Sequence, residues 1–151
     1  MIDKLYLFFL KCLKYIQGYN RLLYYNSNLK YSRDSFIVDK LLNKINIIEK
    51  IGNNWHEDGI PAPTIEVLNL GRKLIPDLVK NFDGNIRVTQ TVDEGLAFVF
   101  TIYDYKLYLE LYNDGDIGYI STNEIEKKII ECDVISEDQI ISVISKFNKI
   151  Y

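Results

Sequence analysis

Between Gly95 and Ser121 the chain alternates with period two. Leu96, Phe98, Phe100 and Ile102 alternate with Ala97, Val99, Thr101 and Tyr103; Leu107, Leu109 and Leu111 alternate with Lys106, Tyr108, Glu110 and Tyr112. After Asn113-Asp114-Gly115-Asp116 the run resumes at Ile117. This is the mark of half-buried antiparallel strands. Asp114-Gly115 is a hairpin signal for a two-residue type I′ turn, because both residues tolerate positive φ. With Ile86 to Thr91 as a first strand, the pattern predicts an α+β fold: an antiparallel β-meander of three to four strands, covered by N-terminal, central and C-terminal helices.

The helical period takes over elsewhere. Asp3 to Gln17 reads as a helix with a wide apolar arc, and Tyr19 to Tyr25 as a short continuation before an Asn26-Ser27-Asn28 loop. Asp34 or Ser35 caps a helix to about Lys50, with Ile37, Leu41, Ile45 and Ile48 on one face. Trp55 to Pro63 is a loop around the only Trp. Thr64 caps the next helix, and Pro76 is expected to kink or divide it. Glu124 to Cys132 fits both a helix and a strand. Ser136-Glu137-Asp138-Gln139 is a capping box that opens a final helix to about Asn148.

At 151 residues, 48% of them hydrophobic, the chain is long enough for one domain, 1–151, with its own core. Charge sharpens this picture. Residues 1–50 carry nine Lys/Arg against four Asp/Glu, a net +5, and the rest carry −8, giving −3 overall. Two readings compete: a basic binding face, or basic helices packed near an acidic sheet. Two distant cysteines, Cys12 and Cys132, give no disulfide framework and fit a reducing cytoplasm. No run is long enough to span a bilayer.

Trp55, Asp58, Gly59, Pro61 and Pro63, then a helix, then Asp83-Gly84 and strands from Ile86 onward, form an order of motifs over the last two thirds of the chain. It resembles a group of small uncharacterised bacterial proteins with a Trp-Asp-Gly-x-Gly-like loop, a helix and a β-meander. His56-Glu57 displaces the usual Asp, and the Glu-Trp strand motif of that group is absent. The resemblance implies a bacterial or phage gene product and brings no activity with it.

Catalytic motifs are scarce. His56 is the only His, so no zinc site or metalloprotease helix can be assembled from histidines. No nucleophile elbow accompanies a serine, and no phosphate-cradling Gly-rich loop is present. No cofactor or metal is expected. An acid–base site on the Trp55 to Asp58 loop with Glu110 is the third-ranked reading; the alternative is that Trp55, Asp58 and Gly59 form a structural loop.

A two-residue turn at Asp114-Gly115 would pair Tyr112 with Ile117 and Glu110 with Tyr119. Tyr108, Tyr112, Ile117 and Tyr119 would then share one face, with Lys106 and Glu110 beside them. That face either binds a protein or is covered by the first helix. The first expectation is therefore a non-catalytic protein-binding module from a bacterium or mobile element, in phage defence or counter-defence. It would act like an immunity protein, antitoxin or inhibitor, on another protein or by self-association. The second is a nucleic-acid binder using the basic half and the Tyr face, against which the acidic pI of about 5.2 weighs.

Overall fold

The computed structural model describes residues 29–54 and 59–150. The expected helices at Asp3–Gln17 and Tyr19–Tyr25, the Asn26–Asn28 loop, Cys12, and the loop residues Trp55, His56, Glu57 and Asp58 lie outside the described residues. The chain divides into two units between Phe36 and Ile37; of the first only the helical residues 29–36 are described, and the core and sheet below are those of the second.

Helix α1 spans 29–51. It is already running at Asp34 and Ser35, so neither is its cap. No Gly or Pro interrupts 29–51, and both polar residues are tolerated inside a helix away from the core. A 3-10 turn at Gly52–Asn54 ends it, with Gly52 at φ +55°. Helix α2 spans Ile65–Lys80 and is capped by Thr64, whose Oγ1 accepts from the Val67 N–H. Pro76 does not divide it. Pro76 lies on the exposed side, where water can take the Arg72 carbonyl that loses its donor. Five strands follow: β1 Asn85–Thr91, β2 Gly95–Ile102, β3 Tyr105–Tyr112, β4 Ile117–Asn123 and β5 Lys128–Val134. A 3-10 turn at Glu137–Gln139 leads into helix α3, Ile140–Ile150. Gln139 Oε1 accepts the Ser136 N–H at 3.0 Å, as the capping-box pattern requires.

The strands form one antiparallel sheet in sequence order, β1-β2-β3-β4-β5. It is a meander with one strand more than the upper expected number, because 128–134 pairs with β4 and resolves the helix-or-strand ambiguity as a strand. The three helices bury their apolar sides in one core with one face of the sheet: Leu41, Ile45 and Ile48, then Leu68, Ile75 and Leu78, then Ile140, Ile144 and Phe147, against Phe98, Phe100, Leu107, Leu109 and Leu111. Gly71 lets α2 approach the sheet closely. A Cβ there would stand 2.6 Å from Leu96 Cδ2 and 3.3 Å from Ile45 Cδ1, so α1, α2 and β2 meet at that point. Phe82 meets Phe100 edge-on at 5.0 Å and stacks on Phe147 at 6.1 Å, tying the end of α2 to sheet and α3.

The β3–β4 turn differs from the expectation by one residue. Tyr112 C=O accepts from Gly115 N–H at 3.0 Å, and Tyr112 N–H donates to Asp116 C=O at 2.9 Å. Gly115 sits at φ +97°. This is a three-residue loop, Asn113-Asp114-Gly115, with the glycine as a bulge in the left-handed region. Tyr112 is thus opposite Asp116, which places Leu111 opposite Ile117, Glu110 opposite Gly118, Leu109 opposite Tyr119 and Tyr108 opposite Ile120. A slip of one residue moves every β4 side chain to the other face.

Candidate protein-binding surface

The four residues expected to share a face are split between two. Ile117 and Tyr119 point into the core, 6% and 7% exposed, beside Leu111 and Leu109. Tyr108 and Tyr112 remain on the outer face and are half-buried. The correction follows from the extra loop residue at Asn113. Gly59 adopts φ +72°, a turn conformation that glycine takes without strain, and is exposed.

The outer face is instead completed by β5. Cross-strand rows place Tyr108 beside Ile120 and Cys132, Glu110 beside Gly118 and Val134, and Lys106 beside Thr122 and Ile129. No residue of β5 is buried. Ile129 is 60% and Val134 67% exposed, and Ile125 in the preceding turn is 72% exposed. A register shift opposite Ser121/Thr122 leaves Ile130 without a partner in β4, and Ile130 lines a small cavity together with Lys146, Phe147 and Ile150 of α3. The turn into β5 is held by Asn123, whose Oδ1 accepts from the Ile125 and Glu126 N–H groups at 3.0 and 3.1 Å. The sequence carried the signal for this strand in the alternation of Ile130, Cys132 and Val134 with Glu131 and Asp133.

The polar groups on this surface are engaged with one another. The Tyr112 hydroxyl donates to Glu110, and its ring lies over Gly118, whose Cβ position is 3.3 Å from Tyr112 Cε2. Burial, then that hydrogen bond, pushes the Tyr112 phenol well above its usual range. Lys106 Nζ pairs with Glu124 Oε2 at 2.7 Å, and the Thr122 hydroxyl donates to Glu124 Oε1 at 2.7 Å. The Lys106 hydrogen bond, and then that of Thr122, lowers the Glu124 carboxyl. On the core side, burial and then Glu131 push Tyr119 up to about 12. Lys146 Nζ reaches both Glu131 oxygens, at 2.7 and 2.9 Å, and holds that carboxyl below its usual range.

Such pairs orient the side chains of this surface relative to one another. Among the described residues, no three His, Cys, Asp or Glu side chains gather as a metal site needs, and no helix is long and apolar enough to cross a membrane. Cys132 is a free, exposed thiol. The arrangement offers a mixed apolar and aromatic strip ending on an open strand. No protein-family model, curated protein or solved structure matches this chain.

Proposed function

We propose that this chain is a non-catalytic protein-binding module, of bacterial or mobile-element origin. It acts by occluding or stabilising a partner, as an immunity protein, antitoxin or inhibitor does. One observation carries the reading: β5 is seven residues long, has no buried residue, and presents Ile129 and Val134 on the same outer face as Tyr108 and Tyr112. An exposed edge strand with contiguous apolar side chains is a hazard that proteins usually cover or blunt with charge. Tyr and Ile around a few polar groups also have the composition of an interface centre with its rim.

Affinity capture from the native host, read by mass spectrometry, tests it. Wild-type chain should retain a specific protein that a chain carrying Ile129→Lys and Val134→Lys loses, while the two melt alike. Capture of the same protein by both chains would remove this surface from the reading. Recovery of nucleic acid in place of protein would favour the alternative binder.

A further inference from the structure

The opposite edge of the sheet carries a second, chemically different feature. Hydrogen-bond phase can be followed across the sheet from the β3–β4 turn. Tyr112 N–H points to β4, so Leu111 points to β2 and is paired with Leu96. Ala97 and Val99 therefore point to β1, where they pair with Thr89 and Arg87. Alternation leaves the N–H and C=O groups of Ile86, Val88 and Gln90 directed away from the sheet. β1 is the edge strand, and no described residue pairs with these groups. At the end of the same edge Gln90 Nε2, itself buried, has no hydrogen-bond partner among the described residues.

A groove of about 340 Å³ runs between this edge and α1. Its floor is Leu41, Ile47, Ile86 and Val88. Lys40, Lys44 and Arg87 line it as well, all three exposed. None of the three cations forms an ion pair with a described acid, whereas Lys73, Lys106 and Lys146 each do.

We infer that this groove receives an extended, acidic segment of a partner protein, added as a sixth strand beside β1. The proposal rests on the protein-binding reading but uses a different surface. Three features select this occupant. The outward groups of Ile86, Val88 and Gln90 call for a backbone with the same repeat, which a β-strand supplies and a folded surface does not. The apolar floor takes every second side chain of such a strand. Arg87, on the face of β1 opposite Ile86 and Val88, and Lys40 and Lys44 on α1, none paired with a described acid, match Asp or Glu in the segment and disfavour a basic one.

Selection by the full chain from a library of random nine-residue peptides tests the inference. Enriched sequences should alternate apolar residues with Asp or Glu. A peptide so chosen should bind Lys40→Glu/Lys44→Glu at least roughly tenfold more weakly than wild type, with loss of affinity in high salt. Proline at one central position of the peptide should abolish binding, because it removes a ladder donor. Both lysines are exposed, so the variant should melt like the parent. The inference is overturned by an absence of enriched peptides, by basic or non-alternating winners, or by indifference to the lysine variant or to the proline. Preferential binding of a single-stranded oligonucleotide also overturns it. So does self-association abolished by the lysine variant, which would make the occupant a second copy. Because these changes leave β5 intact, each of these failures is distinguishable from failure of the outer-face reading.

Discussion

Asn113 bridges the β3–β4 turn to the residues that start α2: its Oδ1 accepts the Thr64 N–H at 2.8 Å and its Nδ2 donates to the Ala62 carbonyl at 3.0 Å. One amide thus satisfies the backbone on both sides of the buried Pro63. Thr64 is the cap of α2, so this contact sets where the helix begins relative to the sheet. Asn113→Ala should cost about 1–3 kcal/mol, since it leaves two part-buried backbone groups unpaired. Asn113→Asp keeps an acceptor for Thr64 but sets a carboxylate against the Ala62 carbonyl, so it should not rescue. Urea unfolding of the two variants checks this; stability equal to the parent would show that the bridge is dispensable.

Gly115 is a backbone requirement rather than a packing one. Nothing stands within 4 Å of a Cβ built there, yet φ is +97°. Gly115→Val should therefore destabilise by roughly 1–2 kcal/mol or more, the cost of a left-handed residue with a branched side chain. Gly115→Asn should lose less, because Asn visits that region more readily. Thermal melts that rank Val and Asn equal would count against a conformational cause.

Tyr119, Glu131 and Lys146 link stability to pH at both ends. Glu131 is lowered in the folded state, so its contribution is present above the ordinary glutamate range near 4.5 and is lost as pH falls through the folded value. Tyr119 is raised to about 12 from 10.0, so its contribution is complete below pH 10 and is lost as pH rises through about 12. The carboxylate and ammonium side chains are 41% and 56% exposed, which keeps the ion pair itself weak. Tyr119→Phe should flatten the alkaline loss of stability and make the acid limb shallower, because Glu131 loses one of its donors. Urea midpoints measured across both limbs give the answer. An unchanged alkaline limb would place the effect on other tyrosines.

The strands and helices were legible wherever one periodicity dominated. Leu107, Leu109 and Leu111 alternate cleanly, and all three are core residues. The meander, the Thr64 cap and the Ser136–Gln139 pattern are local features, so local sequence specifies them. Asp114-Gly115 marked the right place for a turn but not its length. A two-residue type I′ loop and a three-residue loop with a glycine bulge both need positive φ at that glycine, and only the hydrogen bonds to Tyr112 tell them apart. The expectation that Tyr108, Tyr112, Ile117 and Tyr119 share one face failed at that single residue, since register carries parity from the turn along the whole strand. β5 was ambiguous for another reason: Ile130, Cys132 and Val134 alternate with Glu131 and Asp133, but Ile129-Ile130 breaks the alternation, and Ile125, Ile129 and Ile130 fit a helical period equally well. The α1–β1 groove has no sequence signature, because Lys40, Lys44 and Arg87 become neighbours only through the fold.

The register itself yields the sharpest stability contrast. With Tyr119 opposite Leu109 and 7% exposed, Tyr119→Ala should cost about 3–5 kcal/mol, as a large aromatic removed from a core does. Tyr112 is half-buried over Gly118, so Tyr112→Ala should cost less, about 1–2 kcal/mol, through lost packing and the broken hydrogen bond to Glu110. Ile129→Lys, on an exposed strand, should stay within about 0.5 kcal/mol of the parent. A two-residue loop at Asp114-Gly115 predicts another order, because it would turn Tyr119 and Ile117 outward and bring Ile120 into the core. Chemical denaturation of Tyr119→Ala, Tyr112→Ala, Ile129→Lys and Ile120→Ala therefore reads the register directly. A near-neutral Tyr119→Ala together with a costly Ile120→Ala would show that the strand pairs one residue away from the arrangement described.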